Sequence, residues 1–392
     1  MTHKRRHGGG KRRPPPSPCG AGSGMLVGMT LRPHRPSDHS DGLAFFNPPL
    51  PQDWAPAPRP DAWPEEPDDP EFIERGSPDG PRRVKPTRFL RWALSSLTDK
   101  PERIIDPPPQ GDPFTTPEPG RISITFIGHC TFLLRAPLPG GRVLTVMTDP
   151  IFSERCSPFS FIGPRRLRAP GRALAELPKI DVLLISHCHY DHLDLPSLRA
   201  IARRDDPAVI TPLGNSDLLA KAGLRRVSEL DWWDSMRFGD VAVTCTPARH
   251  FAQRTPFDGG RRLWGGLTLN LPAVGDVGPR SIFFAGDTAH GPHWREIRER
   301  LGAPDLALLP IGAYSPRSFL HRVHADPVEA VAAFLTLEAK KAVAMHFGTF
   351  PLSREPLGEP ERCLADTAAW AGLPPDAFTP LSFGETRLIS LT

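Results

Sequence analysis

The feature that most constrains this chain is seven residues long. Ser186-His187-Cys188-His189-Tyr190-Asp191-His192 follows an apolar run, Asp181 to Ile185, and precedes a helical pattern from Leu198 to Arg204. A strand buried on both faces, then a short loop, then a helix is the layout of a layered sheet. Such sheets place ligands beyond the C-terminal ends of their strands. Imidazole nitrogen and carboxylate oxygen together suit Zn2+ and similar borderline ions. Three histidines and an aspartate on so short a loop cannot easily converge on one tetrahedral ion, so the loop points to two metals sharing it.

Further ligands should then lie at other strand ends. His250 follows the strand Val241 to Thr246, Asp287 follows Ser281 to Ala285, and His346 follows Val343 to Met345. Taken singly, each reads as a hydrogen-bonded core histidine or a turn aspartate. Together they complete two three-residue sets, with one carboxylate left to bridge them.

The rest of the folded region alternates strands and helices. Ile122, Ile124 and Phe126 alternate with Ser123 and Thr125, as in a half-buried strand. Val143 to Thr148, Leu263 to Leu271 and Leu306 to Leu309 are further strands. Ser216 to Ala222 and His293 to Leu301 read as helices. Asp326-Pro327-Val328-Glu329 supplies an N-cap, a first-turn proline and an acid three residues after the cap, and opens a helix predicted to run to about Lys340. The pattern favours an α/β fold, layered in the α+β manner with mixed sheets, over a parallel barrel.

The N-terminal part differs. Of 50 prolines, half lie between Pro14 and Pro119, and the first thirteen residues carry six basic side chains and no acid. Residues 1–85 are expected to be a disordered basic and Pro-rich segment, because they show no apolar pattern that would offset the entropy of ordering. Its removal is expected to leave fold and metal content intact. Residues 86–120 form an extension with a short amphipathic helix carrying Phe89, Trp92 and Leu97, and residues 121–392 form the folded domain. The net charge of +4 gives no support to a nucleic-acid partner. Six cysteines with no C-x-x-C pair fit a reducing compartment, and no apolar run is long enough to span a membrane, so a cytoplasmic location is expected.

H-x-H-x-D-H followed by His, Asp and His at strand ends resembles the metallo-β-lactamase fold superfamily. Within it, the chain is similar to the N-acyl-phosphatidylethanolamine-hydrolysing phospholipase D family and its bacterial relatives. The residues that carry this resemblance include Ile127-Gly128-His129-Cys130-Thr131, Thr148-Asp149-Pro150-Ile151-Phe152-Ser153, Gly163-Pro164-Arg165-Arg166, Phe283-Phe284-Ala285-Gly286-Asp287-Thr288, Pro310-Ile311-Gly312-Ala313-Tyr314 and His346-Phe347-Gly348-Thr349-Phe350. The resemblance covers roughly residues 120 to 390. It implies a four-layer αββα sandwich with two Zn2+ at the sheet edge. His187, His189 and His250 would hold one ion, Asp191, His192 and His346 the other, and Asp287 would bridge both. Asp191 and Asp287 are the carboxylates expected to act in catalysis. Asp149 would orient a ligating histidine. His129, Tyr314 and His324 lie in or near matched segments and are expected behind the ligands or in the core.

Other readings follow from single residues. His189 stands where diiron relatives of the fold carry Glu, which favours hydrolysis over oxygen chemistry. Arg317 could grip a substrate phosphate or serve as a surface arginine. Trp232, Trp233, Phe251, Phe257 and Trp264 could line an acyl groove, with core packing the commoner role. Cys188 is expected to be a bystander thiol. Two metals trap a water and lower its pKa, and the resemblance implies that the reaction is phospholipase D-like cleavage of N-acyl-phosphatidylethanolamine to N-acylethanolamine and phosphatidic acid. A lactonase on the same site and a metal-binding protein without turnover are the alternatives. The resemblance also allows peripheral membrane contact and a homodimer.

Overall fold

The computed structural model describes residues 37–60 and 103–391, together with the backbone of β1 (Ile73–Glu74) and β2 (Arg83–Val84), which pair antiparallel. Two seven-stranded sheets carry the rest. The first contains β3 (Arg121–Gly128), β4 (Thr131–Leu138), β5 (Arg142–Thr148), β6 (Val182–Leu184), β7 (Ala208–Pro212) and β8 (Arg226–Leu230). The second contains β9 (Ser235–Phe238), β10 (Val241–Thr246), β11 (Gly266–Leu271), β12 (Arg280–Phe284), β13 (Leu306–Pro310), β14 (Lys341–Met345) and β15 (Phe378–Thr379). The chain then returns to the first sheet as β16 (Thr386–Ser390), which pairs antiparallel with β3. The helices are α1 (Leu195–Asp205), α2 (Ser216–Lys221), α3 (His293–Leu301), α4 (Arg317–Leu320), α5 (Pro327–Leu337) and α6 (Glu359–Trp370).

Each sheet is mixed, and this is what aims the site. In the first sheet, β3, β4 and β5 are antiparallel neighbours, while β5, β6 and β7 run parallel. The C-terminal ends of β3, β5 and β6 therefore emerge on one edge. In the second, β10, β11 and β12 alternate in direction, and β12, β13 and β14 run parallel. The ends of β10, β12 and β14 also share an edge. Apolar residues of both sheets, from Phe126, Leu133 and Leu183 to Val243, Leu269 and Phe283, join in one core, with helices on the outside. No helix among the described residues is long and apolar enough to cross a membrane.

Local chemistry accounts for the helix ends near the site. Asp194 caps α1 by accepting from the Ser197 backbone N–H, with a proline in the first turn. Asp326 and Glu329 form the predicted capping box of α5. That helix stops at Leu337, short of Lys340, because Glu338 turns left-handed at φ 51°. Strands β4, β7, β8, β9 and β16 and helix α6 had no reading in the sequence. Several are short or carry proline and charge, and pairing partners rather than periodicity select them.

One expectation is corrected. Residues 37–60 do not lie loose but pack on the domain. The Phe45 side chain is buried in the core, His39 stacks on Trp232 at 4.2 Å, and Ala57 is buried. These apolar side chains are too widely spaced to form a pattern, yet each finds a place in the folded surface. The amphipathic helix expected near Phe89 to Leu97 lies outside the described residues.

Candidate metal centre

All seven residues read as ligands meet at the shared edge. The tightest measure is the Asp287 carboxylate, which follows β12. Its Oδ2 lies 3.0 Å from His346 Nε2, 3.2 Å from His192 Nε2, 3.7 Å from His250 Nε2 and 4.0 Å from His187 Nε2. On one side, His187 Nε2 and His250 Nε2 approach His189 Nδ1 at 2.8 and 3.1 Å. On the other, Asp191 Oδ2 lies 3.2 Å from His192 Nε2 and 3.6 Å from His346 Nε2. The described residues thus hold two donor sets, His187/His189/His250 and Asp191/His192/His346, with Asp287 between them.

The donors are buried and under-satisfied. His192 Nε2, both ring nitrogens of His346 and Asp287 Oδ1 are buried without a hydrogen-bond partner. Orphaned polar atoms of this kind are costly unless something else pairs with them, and convergent nitrogen and carboxylate oxygen are the donors of a borderline divalent ion. The residues fit such ions.

Charge tells the same story. Burial, then neighbouring histidines, holds His187 well below the ordinary imidazole value and His189 at about 3. Burial also lowers His250. That set is neutral at physiological pH, with lone pairs free for a cation. For His192 and His346 burial again opposes charge, but the Asp287 and Asp191 carboxylates outweigh it; His192 rises well above its ordinary value and His346 to about 9. Asp191 and Asp287 stay far below the usual carboxylate range despite burial, because His192 lies beside each. Two buried carboxylates draw positive charge into the site, which metal ions would supply in place of protons.

Groups behind the ligands set which nitrogen faces inward. Ser186 Oγ donates to Asp149 Oδ2 at 2.5 Å and accepts from His187 Nδ1 at 2.9 Å, which leaves His187 Nε2 without a proton and facing His189. His192 Nδ1 donates directly to Asp149 Oδ2 at 2.7 Å, leaving its Nε2 free. Asp149 therefore orients two histidines, not the single one expected, and Ser186 is a relay that sequence reading passed over. His250 Nδ1 donates to the Val323 carbonyl at 2.8 Å. His129 Nε2 lies 2.9 Å from Asp191 Oδ2, behind the ligand as expected. Burial, then the nearby His346, holds His129 at about 3, so it is a neutral donor. The backbones at His129, Asp149 and His346 all take positive φ, 58°, 30° and 63°. Strained geometry of this kind collects at functional sites.

The remaining candidates divide. His324 Nδ1 stands 3.9 Å from Asp287 Oδ2, buried and without a hydrogen-bond partner. Tyr314 does not join the cluster; its hydroxyl donates to Glu359 at 2.7 Å in a buried contact. Arg317 does not face the cluster as a phosphate grip. Its guanidinium is engaged by Glu329 at 2.6 and 3.1 Å and by Asp326 at 3.3 Å, at the start of α5. Trp232 and Trp264 are core residues, whereas Phe251 lies 4.6 Å from the His189 ring and is partly exposed at the mouth. Cys188 is buried in the core, its thiol pushed up to about 11 by burial. Arg254, to which the sequence reading gave no role, donates to the Cys188 and Leu193 carbonyls at 2.6 and 2.9 Å and so braces the His-rich loop.

Comparison with known proteins adds to this geometry. The β-lactamase superfamily domain matches residues 145–347. An uncharacterized protein of Mycobacterium tuberculosis is 39% identical over 252 residues, 62% of this chain and 64% of that protein. An N-acyl-phosphatidylethanolamine-hydrolyzing phospholipase D of Caenorhabditis elegans is 35% identical over 240 residues, 58% of this chain and 64% of that one. A metal-dependent hydrolase of Solibacter usitatus is 31% identical over 260 residues, 64% of this chain and 96% of that one. The chain thus spans about 64% of the length of the first two of these relatives. Among solved structures, a metallo hydrolase from Ignicoccus hospitalis shares the fold, with TM-score 0.51, 22% identity, and 69% of this chain and 98% of that chain covered.

Proposed function

The chain belongs to the β-lactamase superfamily; from that premise we propose that it is a metal-dependent hydrolase that binds two Zn2+ and cleaves phosphodiesters in the manner of a phospholipase D, with N-acyl-phosphatidylethanolamine-type lipids as the substrate class. The observation that carries the proposal is the position of Asp287 Oδ2, within 4.0 Å of two histidine nitrogens from each donor set. A carboxylate so placed would bridge two ions held by the sets. Bound there, a pair of divalent ions supplies Lewis-acid stabilisation of developing charge and a water acidic enough to ionise near neutral pH.

The chain's own residues do the rest. His187, His189 and His250 hold one side of the site, and Asp191, His192 and His346 the other. Asp149, through Ser186 and by its direct bond to His192, engages the outward nitrogens of His187 and His192 and so turns their inward nitrogens to the site. Burial keeps His324 neutral, and its unpartnered Nδ1 can hydrogen-bond a phosphoryl oxygen held beside Asp287. Phe251, beside His189, offers an apolar wall to the acylated leaving group, and the still more exposed Phe257 follows on the same loop. The similarity to the Caenorhabditis elegans phospholipase D favours a lipid phosphodiester over a lactone.

The test is a substrate panel with metal analysis. Zinc-loaded protein is given a synthetic N-acyl-phosphatidylethanolamine, a simple phosphodiester and an acyl lactone. Release of free ethanolamide with about two zinc ions bound per chain is the expected result. Hydrolysis of the lactone alone would replace this reading with a lactonase, and two bound ions without turnover would make the protein a metal binder.

A further inference from the structure

His250 is the exposed weakness of the ligand set. It sits four residues beyond the end of β10, on a loop rather than at the strand terminus, whereas His346 directly follows β14. Its ring is held by the Val323 carbonyl. Its backbone is held by something remote in sequence. Asn47 Nδ2 donates to the His250 carbonyl at 2.8 Å, from a residue buried in part against it. Next to it, Arg249 donates to the Pro48 carbonyl at 2.9 Å.

The same segment grips the loop on both flanks. His39 meets Asp231 at 2.8 Å and stacks on Trp232. Trp232 Nε1 donates to the Trp264 carbonyl at 2.7 Å, and Trp264 Nε1 to the Ala248 carbonyl at 2.9 Å, two residues before His250. On the other flank, the Phe45 N–H donates to the Gly260 carbonyl at 2.7 Å and the Gly260 N–H to the Ala252 carbonyl at 3.2 Å, two residues after His250. Gly260 is left-handed, φ 70°, and a Cβ there would come 3.0 Å from the Phe45 carbonyl oxygen, so the segment can lie this close only over glycine. Beyond Asn47, the Trp54 ring lies 5.7 Å from that of His290 in a tilted contact, and Arg59 reaches Asp326 at 2.6 Å, at the start of α5. Residues 37–60 thus run past the loops that follow β10 and β12 and the cap of α5.

We propose that residues 37–60 are a strap that positions His250, with Asn47 as the positioning residue, so that retention of the metal held by His187, His189 and His250 depends on a segment far from the ligands in sequence. The inference rests on the reading that this set holds an ion. A carbonyl must be met by a donor, and the Asn47 amide supplies one. Asn47→Asp keeps the shape and turns the contact into two facing acceptors, which moves the His250 backbone. The three histidines of one set then no longer converge, while Asp191, His192 and His346 are untouched. Partners that orient metal ligands typically matter by about 10–100-fold in metal affinity.

The experiment is a chelator titration of zinc-loaded wild-type protein and Asn47→Asp, with bound zinc counted and melting followed alongside. The expected result is that the variant gives up one of its two ions at about 10–100-fold lower chelator, keeps the other at the wild-type concentration, and melts near the wild-type temperature after both are stripped. A general weakening of the fold would loosen both ions together. Wild-type resistance at both sites in Asn47→Asp overturns the strap but leaves the two-metal reading intact. Fewer than two ions in wild-type protein sinks that reading, and the strap with it. If Asn47→Asp does not fold, hydrogen exchange on wild-type protein decides. Coupling is reciprocal, so the Phe45 and Phe46 amides should exchange faster after zinc is stripped, while amides of β3 to β5 stay protected. Equal exchange at Phe45 and Phe46 with and without zinc overturns the inference.

Discussion

The two sheets contribute to the site in opposite ways. Four of the seven candidate ligands come from one loop of six residues after β6. That loop is fixed from beneath by Asp149, at the end of the adjacent strand β5, and from the side by Arg254. The three candidate ligands of the second sheet come singly from the segments that follow β10, β12 and β14, and each depends on a different neighbour. Asp287 needs Gly286, left-handed at φ 61°, where a Cβ would come 2.6 Å from that of Ser186. His346 takes a positive φ itself, its N–H bonded to the His129 carbonyl at 3.0 Å. His250 needs the strap. A compact loop concentrates its determinants within a few residues, while a site assembled from separate strands spreads them over the fold.

The sharpest way to break this comparison is at the bridge, the one group both sets share. Asp287→Asn removes a charge and an oxygen ligand while keeping shape. Turnover of the phosphodiester should fall about 1,000-fold or more, roughly 4 kcal/mol in barrier, with loss of at least one ion. Two ions and near-wild-type turnover in this variant would show that the sets do not share it.

Asp149→Asn comes next. Because this carboxylate orients His187 through Ser186 and His192 directly, its loss should weaken both ions, by about 10–100-fold in affinity or rate. Ser186→Ala, which cuts only the arm to His187, should weaken the His187 side alone. A chelator titration that finds both variants losing the same single ion would contradict the shared role of Asp149.

Deleting residues 1–60 tests the strap as a whole. Removal of the N-terminal region to residue 85 was expected to leave the fold intact, and the contacts of residues 37–60 reverse that expectation. The buried Phe45 ring alone accounts for about 2–3 kcal/mol. Thermal melts should show a clear loss of stability, with the ion held by His250 the first to leave. An unchanged melting temperature would return the segment to the status of a tail.

The smallest effect is on pH. For His39, burial lowers the pKa, but Asp231 and Asp38 together raise it above the ordinary 6.5. A group whose folded pKa is raised stabilises the fold fully below its unfolded value and loses that contribution as pH rises through the folded value. Strap attachment should therefore weaken as pH climbs above about 6.5. The difference in melting temperature between wild-type protein and His39→Gln should shrink over that range. A difference that grows with pH would reverse the assignment.

Residues close in sequence made half of this protein legible. The H-x-H-x-D-H loop, the apolar strand before it, the bounds of β10 and α3 and the capping box of α5 are local facts of residue type and spacing, so the sequence alone determined them. It also placed His250, Asp287 and His346 at strand ends, because apolar runs announce buried strands. What the tertiary structure decided depends on which surfaces meet. Tyr314 and Arg317 stand in matched segments, yet Glu359 and Glu329, 45 and 12 residues away, engage them outside the cluster. Ser186 gains its role only when β5 lies beside β6. Asn47 carries no signal at all, since an asparagine in a proline-rich stretch reads as turn or linker, and only the folded domain sets a histidine carbonyl 2.8 Å from its amide. Periodicity and motif spacing report what a residue does with its neighbours along the chain, and hydrogen bonds spanning 203 residues lie beyond their reach.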